Sequence, residues 1–289
     1  VLAPPAARGV YQDDPCCDGL LFYDPRAPFN PVAYARLVFG LRALRTDLAV
    51  CLHASFRSAM LGRLSGAPWR CVRNHSGADW FCTLRSSEIK EPKSTVQRDF
   101  DCLRALGLTP KDTRPRLAIP AIARAEARRL AVAWGLGTGS VLLFPGAGKP
   151  EKRWPLERFL SLARRLTRSG RRVLLLTAPG EESLDAQAAS VGARWGSIAD
   201  LKVLGALSRL TGEAIGNDSG PRHIAAAGGA RTLTIFGPES LREWHPYAKD
   251  AGHWALQADT GRVLDLSLDR VWGETRAWLK AGAREREEA

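Results

Sequence analysis

No stretch of this sequence holds the roughly 18 uninterrupted apolar residues that a membrane-spanning helix needs. Nor does a charged start followed by an apolar run mark a secretory signal, so the expected location is cytoplasmic. All six cysteines (Cys16, Cys17, Cys51, Cys71, Cys82 and Cys102) fall in the first 102 residues, with no CxxC pair and no histidine cluster at zinc spacing. That argues against a disulfide scaffold and against a metal site. No GxGxxG runs from a strand into a helix, which weighs against a dinucleotide-dependent oxidoreductase. Acidic residues are scarce: 30 Asp and Glu stand against 42 Lys and Arg, a formal charge of +12. Such an excess points to an anionic partner, whether phosphorylated substrate, acidic lipid surface or nucleic acid. Nucleic acid fits least well, because the cations are not gathered with interleaved aromatics; Arg164, Arg165, Arg168, Arg171 and Arg172 are strung along one segment and could equally decorate a solvated face.

What is present divides into two β/α arrays, which 289 residues can accommodate as two domains with separate cores. In the first, residues 19 to 23 (GLLFY) read as a short strand. A helix follows from about Val32 to Arg45, with Tyr34, Leu37, Val38, Leu41 and Leu44 at helical spacing after Pro31. Residues 48 to 52 form the next strand, and His53 and Arg57 stand at its C-terminal end, where ligands collect in open α/β sheets. Between Pro68 and Pro92 the periodicity fades, and Trp69, Arg70, Arg73, His75, Trp80 and Arg85 alternate with Gly and Ser around one or two short strands. Ser94 then caps a helix that stops at Gly107. The run Gly135, Gly137, Gly139 is the candidate linker, which sets the boundaries at 1–136, 137–262 and 263–289.

The second array is the cleaner one. Strands at 141–144, 173–177, 213–216 and 232–236 alternate with helices, the pattern of a parallel sheet covered on both faces. Its decisive stretch is EAIGNDSGPRHIAAA (213–227), where an apolar strand passes through a polar turn into a helix that opens with Pro221. Ser219 and Gly220 stand at the positive end of that helix dipole, a natural seat for phosphate. The alternative is that Asp218 or Ser219 simply caps the helix. Two more loops should share the rim: Gly146 with Lys152 after the first strand, and Glu181 or Glu182 after the second. Glycine leaves room for a ligand beside the backbone, lysine supplies a cation, and an acidic residue one strand over suits a ribose. Together they describe a site for a diphosphate that links a nucleoside to a second polar group.

The segments FPGAGKPEKRWP (144–155), TAPGEE (177–182) and IGNDSGPRHIAAAGGARTLTIFGP (215–238) resemble the donor domain of the family 9 glycosyltransferases, the bacterial lipopolysaccharide heptosyltransferases. DLAVCLHASFRSAMLGRLSGAPWR (47–70) is similar to that family's acceptor-domain pattern. The resemblance implies a GT-B fold, two Rossmann-like domains with parallel sheets facing a cleft, with the last helix packing back toward the N-terminal domain. It implies metal-independent, inverting transfer of heptose from an ADP-activated donor to the lipopolysaccharide core or a similar phosphorylated glycolipid, with no cofactor beyond the ADP-sugar and with peripheral inner-membrane contact. By this analogy Gly146, Lys152, Glu181, Asp218, Ser219, Gly220 and His223 bind the donor, and His53 and Arg57 face the acceptor. Members of the family open on a strand and a Gly-Asp turn whose Asp is proposed as the general base. This sequence begins after that place, so no catalytic residue is assigned. The expectation is an N-terminal domain incomplete at its start, in a chain that binds nucleotide better than it turns over; the alternative reading is a catalytically impaired nucleotide-sugar-binding homologue.

Overall fold

The structure, a computed structural model, describes residues 1–24, 26–53, 55–73, 79–85 and 93–287, so His75 lies outside the described residues. The N-terminal half comprises β1 (Leu2–Ala3), α1 (Arg8–Tyr11), β2 (Leu21–Phe22), α2 (Pro31–Ala43), β3 (Leu48–Cys51), α3 (Phe56–Leu64), β4 (Trp69–Val72), β5 (Leu84–Arg85) and α4 (Thr95–Ala105). Its helices start where the sequence offers caps. The Asn30 side chain accepts from the Ala33 N–H, Ser55 accepts from Ser58, and Ser94 and Gln97 form a reciprocal capping box. The strands form two parallel groups, β1 with β2 and β3-β4-β5. The segment expected to be loop-rich, 68–92, thus supplies β4 and β5.

The C-terminal half comprises α5 (Ala121–Ala133), β6 (Val141–Phe144), α6 (Leu156–Arg168), β7 (Val173–Thr177), α7 (Asp185–Ser190), β8 (Arg194–Ser197), α8 (Leu201–Thr211), β9 (Glu213–Asn217), α9 (Gly220–Gly228), β10 (Arg231–Phe236), α10 (Leu241–Trp244), β11 (His253–Gln257) and α11 (Leu268–Glu287). Its six strands are all parallel, in the order β11-β10-β9-β6-β7-β8. The chain therefore builds outward from β6 to β8, then returns to the other side of β6 and builds outward again. This is the doubly wound order, and its switch point lies between β6 and β9.

Both faces of this sheet are covered, so β6 and β9 are buried along their whole length, and β6 reads as an unbroken apolar run rather than an alternation. On one face Val141, Leu143, Ile215 and Ile235 pack with Phe159, Leu162 and Trp154. On the other, Leu142, Phe144 and Ala214 pack with Leu207 and Ala225. Two boundary expectations need correction. Helix α5 was placed before the linker, yet Ala123, Ala127 and Ala131 lie in the core under the C-terminal sheet. A face of small residues lets that helix settle closely on α8, and Gly135 and Gly139 form a turn inside one packed unit. Helix α11 packs against α6, β10 and β11 rather than back toward the N-terminal domain, because Val271 and Trp278, fully buried, belong to the apolar cluster of that sheet.

The two halves are tied by polar contacts. Arg98 on α4 pairs with Glu243 on α10 at 2.5 Å, and the Thr95 hydroxyl donates to the Glu243 carbonyl. Helix α1 rests on α8, where Lys202 reaches the Gln12 carbonyl.

Helices α8 and α9 touch backbone to backbone. A Cβ on Gly228 would stand 2.5 Å from the Gly205 carbonyl oxygen and 2.8 Å from its Cα. Since backbone cannot yield as a flexible side chain can, Gly228→Ala should lower stability by about 1–3 kcal/mol, read as a lower midpoint in urea melts.

Candidate functional site

The strand-order reversal places the C-terminal ends of β9, β6 and β7 side by side, and the loops that follow them share one rim. Asn217, the last residue of β9, is fully buried and bridges the switch point. Its Oδ1 accepts from the Trp154 N–H at 3.0 Å and its Nδ2 donates to the Pro145 carbonyl at 2.7 Å. Trp154 is anchored in turn by donating from its indole N–H to the Leu266 carbonyl and by an edge contact with Phe159. From the next strand, Gly237 presses against the same loop: a Cβ there would lie 2.7 Å from the Glu151 carbonyl oxygen. The segment 145–154 is thereby held against β9 and β10, and Lys152 with it.

Lys152 points at Asp218. Their ion pair is 2.9 Å long and mostly buried, and Glu239, in the loop after β10, adds a second carboxylate at 3.1 Å. Burial alone would lower the Lys152 pKa, but the two carboxylates reverse this and hold it above the ordinary lysine value. Burial would likewise raise the Asp218 pKa, and the contacts with His223 and Lys152 more than offset it, bringing the carboxyl down to about 2.

One turn into α9, Arg222 is completely buried. Its Nη2 lies 3.4 Å from Asp218 and donates to His223 Nε2 at 2.7 Å, and its guanidinium stacks over the Tyr247 ring. Nε2 of His223 also lies 3.5 Å from Asp218 Oδ1, and its Nδ1 lies 2.5 Å from the Tyr247 hydroxyl. Burial, followed by repulsion from Arg222 and Lys152, lowers the His223 pKa, which agrees with a neutral ring. Both ring nitrogens of His223 are therefore engaged.

Helix α9 starts without a side-chain cap. Ser219 occupies the cap position in extended conformation, but its hydroxyl bonds to nothing, and neither that oxygen nor Nε and Nη1 of Arg222, all buried, has a hydrogen-bond partner among the described residues. The helix's first N–H groups lack the side chain that usually satisfies them. Uncapped N–H groups and an idle hydroxyl, next to the Lys152–Asp218 pair, are the kind of groups that an anion at a helix start engages.

The remaining expected donor residues fall on the same rim. Gly146, after β6, faces Glu181, after β7: a Cβ on Gly146 would lie 3.7 Å from a Glu181 carboxylate oxygen. Glu181 accepts from the Ala178 N–H and so is held within its own loop. Gly220 is the first residue of α9. His53 follows β3 and Arg57 lies in the first turn of α3, both in the N-terminal half, and both are exposed. Asn217, Arg222 and Glu239 were not singled out from sequence. Arg222 had a legible signal, its four-residue spacing from Asp218 on one helix face. Glu239 had the weaker one of following a strand at the rim, and Asn217 had none beyond its place beside Asp218.

Residues 34–263 match the sequence model of glycosyltransferase family 9 (heptosyltransferase). The chain belongs to that family. Lipopolysaccharide heptosyltransferase 3 of Escherichia coli is 25% identical over 228 residues, covering 75% of this chain and 67% of that protein. Among solved structures, a family 9 glycosyltransferase from Veillonella parvula superposes with a TM-score of 0.80 at 22% identity, covering 96% of this chain and 87% of the other. ADP-heptose lipopolysaccharide heptosyltransferase II of E. coli gives 0.74 at 22% identity, covering 100% and 90%. E. coli heptosyltransferase WaaC with ADP gives 0.73 at 17%, covering 96% and 89%. At these identities the superpositions establish the fold, α/β of GT-B type, and the family assignment rests on the sequence model.

Two measurements check the site of this family 9 chain. Asp218 has its folded pKa depressed from 3.8 to about 2, so its contribution is complete above pH 4 and is lost as pH falls from about 4 to about 2. That contribution is about 2 kcal/mol. Asp218→Asn should remove it at neutral pH and flatten that part of the acid limb in pH-dependent urea melts. Asn217→Ala strands the Trp154 N–H and the Pro145 carbonyl; an unfolding midpoint lower by the equivalent of about 2–4 kcal/mol is expected in the same assay.

Proposed function

We propose that this protein transfers heptose, or a related sugar, from an ADP-activated donor to the lipopolysaccharide core or a similar phosphorylated glycolipid. The observation that carries the reading is the uncapped start of α9, with the idle Ser219 hydroxyl, facing the Lys152–Asp218 pair across the switch point of a family 9 donor sheet. Support also comes from relatives whose names specify ADP, ADP-heptose and lipopolysaccharide.

In this reading the diphosphate sits on the Gly220 end of α9, with the helix dipole and Lys152 offsetting its charge. Those same groups stabilise ADP as it departs with the electrons of the glycosidic bond. Glu181 accepts from the ribose hydroxyls, and Gly146 leaves the nucleoside room beside the backbone. Asp218, ionised down to about pH 2 and already paired with Lys152, is too weak a base to take the acceptor proton, so its work is to aim the ammonium. His223, neutral and bonded on both nitrogens, lines the pocket by fixing Arg222 and Tyr247. The acceptor hydroxyl approaches from the side of His53 and Arg57 and attacks the anomeric carbon opposite the departing ADP, inverting the configuration while its proton passes to solvent. No metal takes part.

Calorimetry with ADP and a coupled assay of ADP release from ADP-heptose, with a heptose-free lipid A core as acceptor, test this. Lys152→Ala should weaken ADP binding by about ten- to a hundredfold, the loss of one partly buried charge contact to phosphate. Wild-type ADP affinity in that variant would remove Lys152 from the site. Absence of ADP binding by the wild-type chain would overturn the proposal itself.

A further inference from the structure

Helix α2 is apolar on two opposite sides. Tyr34, Leu37, Val38 and Leu41 form one side and are half-buried against the protein. The other side follows the spacing i, i+4, i+7, i+11 through Val32, Arg36, Phe39 and Ala43, all exposed. Phe39 is 70% exposed and Val32 59%, and Phe29, just before the helix and in contact with the Tyr34 ring, is 74% exposed. None of the helix's thirteen residues is buried. A surface helix ordinarily turns a polar face outward, so a second apolar stripe needs a cover.

The charges around the stripe identify the cover. From Arg26 to Thr46 the chain carries Arg26, Arg36, Arg42 and Arg45 and not one Asp or Glu. Arg36 lies within the stripe, where its aliphatic stem can lie along Phe39 while the guanidinium reaches outward. Arg42 flanks it, donating from Nε to the Leu64 carbonyl. Self-pairing through this face would set four arginines against four with no carboxylate from the segment on either side, between molecules that each carry +12. Aromatic and aliphatic side chains with Arg36 among them, on a segment that carries arginine and no carboxylate, match instead the boundary between acyl chains and anionic headgroups. Among the described residues no helix is long and apolar enough to cross a membrane, so this contact is one of lying on the surface.

We propose that α2, with Phe29, is the surface by which this protein docks on a bilayer bearing anionic lipid, with Phe29, Val32 and Phe39 entering the headgroup boundary and Arg36 engaging the headgroups. The inference stands apart from the donor site, since it uses none of its residues.

Co-sedimentation of the full chain with phosphatidylcholine vesicles, with and without about one-third phosphatidylglycerol, tests it. Binding should require the anionic lipid and weaken as salt rises. Val32→Ser with Phe39→Ser keeps every charge and should weaken binding by about tenfold or more. Arg36→Gln should weaken it less and reduce its salt dependence. Because the substituted side chains are exposed, ADP affinity and the melting temperature should match the wild type, which separates a docking defect from a folding or donor-site defect. Three results would each overturn the proposal: no binding to anionic vesicles, undiminished binding by the double serine variant, or lipid-free self-association in light scattering that this variant abolishes. The last would make a second copy the occupant.

Discussion

Everything at the site hangs on the two hydrogen bonds of the Asn217 side chain. The sheet changes direction between β6 and β9, so the loop after β6 and the start of α9 emerge side by side without being covalent neighbours. A fully buried amide that accepts from Trp154 and donates to Pro145 converts that adjacency into a fixed distance. In a dry environment each of those groups would cost about 1–3 kcal/mol if left unpaired, so the bridge holds. With it in place, Lys152 and Asp218, 66 residues apart in sequence, meet at 2.9 Å.

The charge cluster has a direction. Asp218 lies between a cation on the open rim, Lys152, and a cation in the interior, Arg222. The interior one costs desolvation and is only partly satisfied; the contacts with His223 and Lys152 keep Asp218 ionised, and burial keeps His223 neutral. The rim one remains 16% exposed and can turn toward a ligand while Asp218 retains its other partner. An anion arriving at α9 meets a helix terminus that nothing else has capped. In the proposed reaction these are the groups that would offset the charge of the departing diphosphate.

The two halves of the molecule are built differently. The C-terminal sheet is wrapped on both sides, with α11 and Trp278 closing one face and α5 with its alanine stripe the other. In the N-terminal half the strands stand in two smaller groups, and much of its aromatic surface, Phe39 and Trp80 included, is exposed. The exposed aromatic surface belongs to one half and the sheet wrapped on both faces to the other, so the two proposals made above concern separate parts of the molecule.

Fold class was legible in the residues themselves: apolar runs of four or five ending in Gly, Pro or polar residues, alternating with helical spacing, allow little but a wrapped parallel sheet. That the loops after β6, β7 and β9 share one rim was legible for the same reason, since every parallel strand delivers its C-terminal end to one side. The short strand β1 left no trace, because two residues cannot show a period. The glycines at 135–139 read as a linker, and only packing revealed that Ala127 and Ala131 carry α5 into the neighbouring core. Sequence also showed an uncommitted Lys152. Which carboxylates restrain it, that Arg222 points inward rather than into solvent, and that Ser219 leaves its helix uncapped were decided by tertiary structure alone. Each of those facts depends on which strands lie next to one another, and a linear order of strands does not state that.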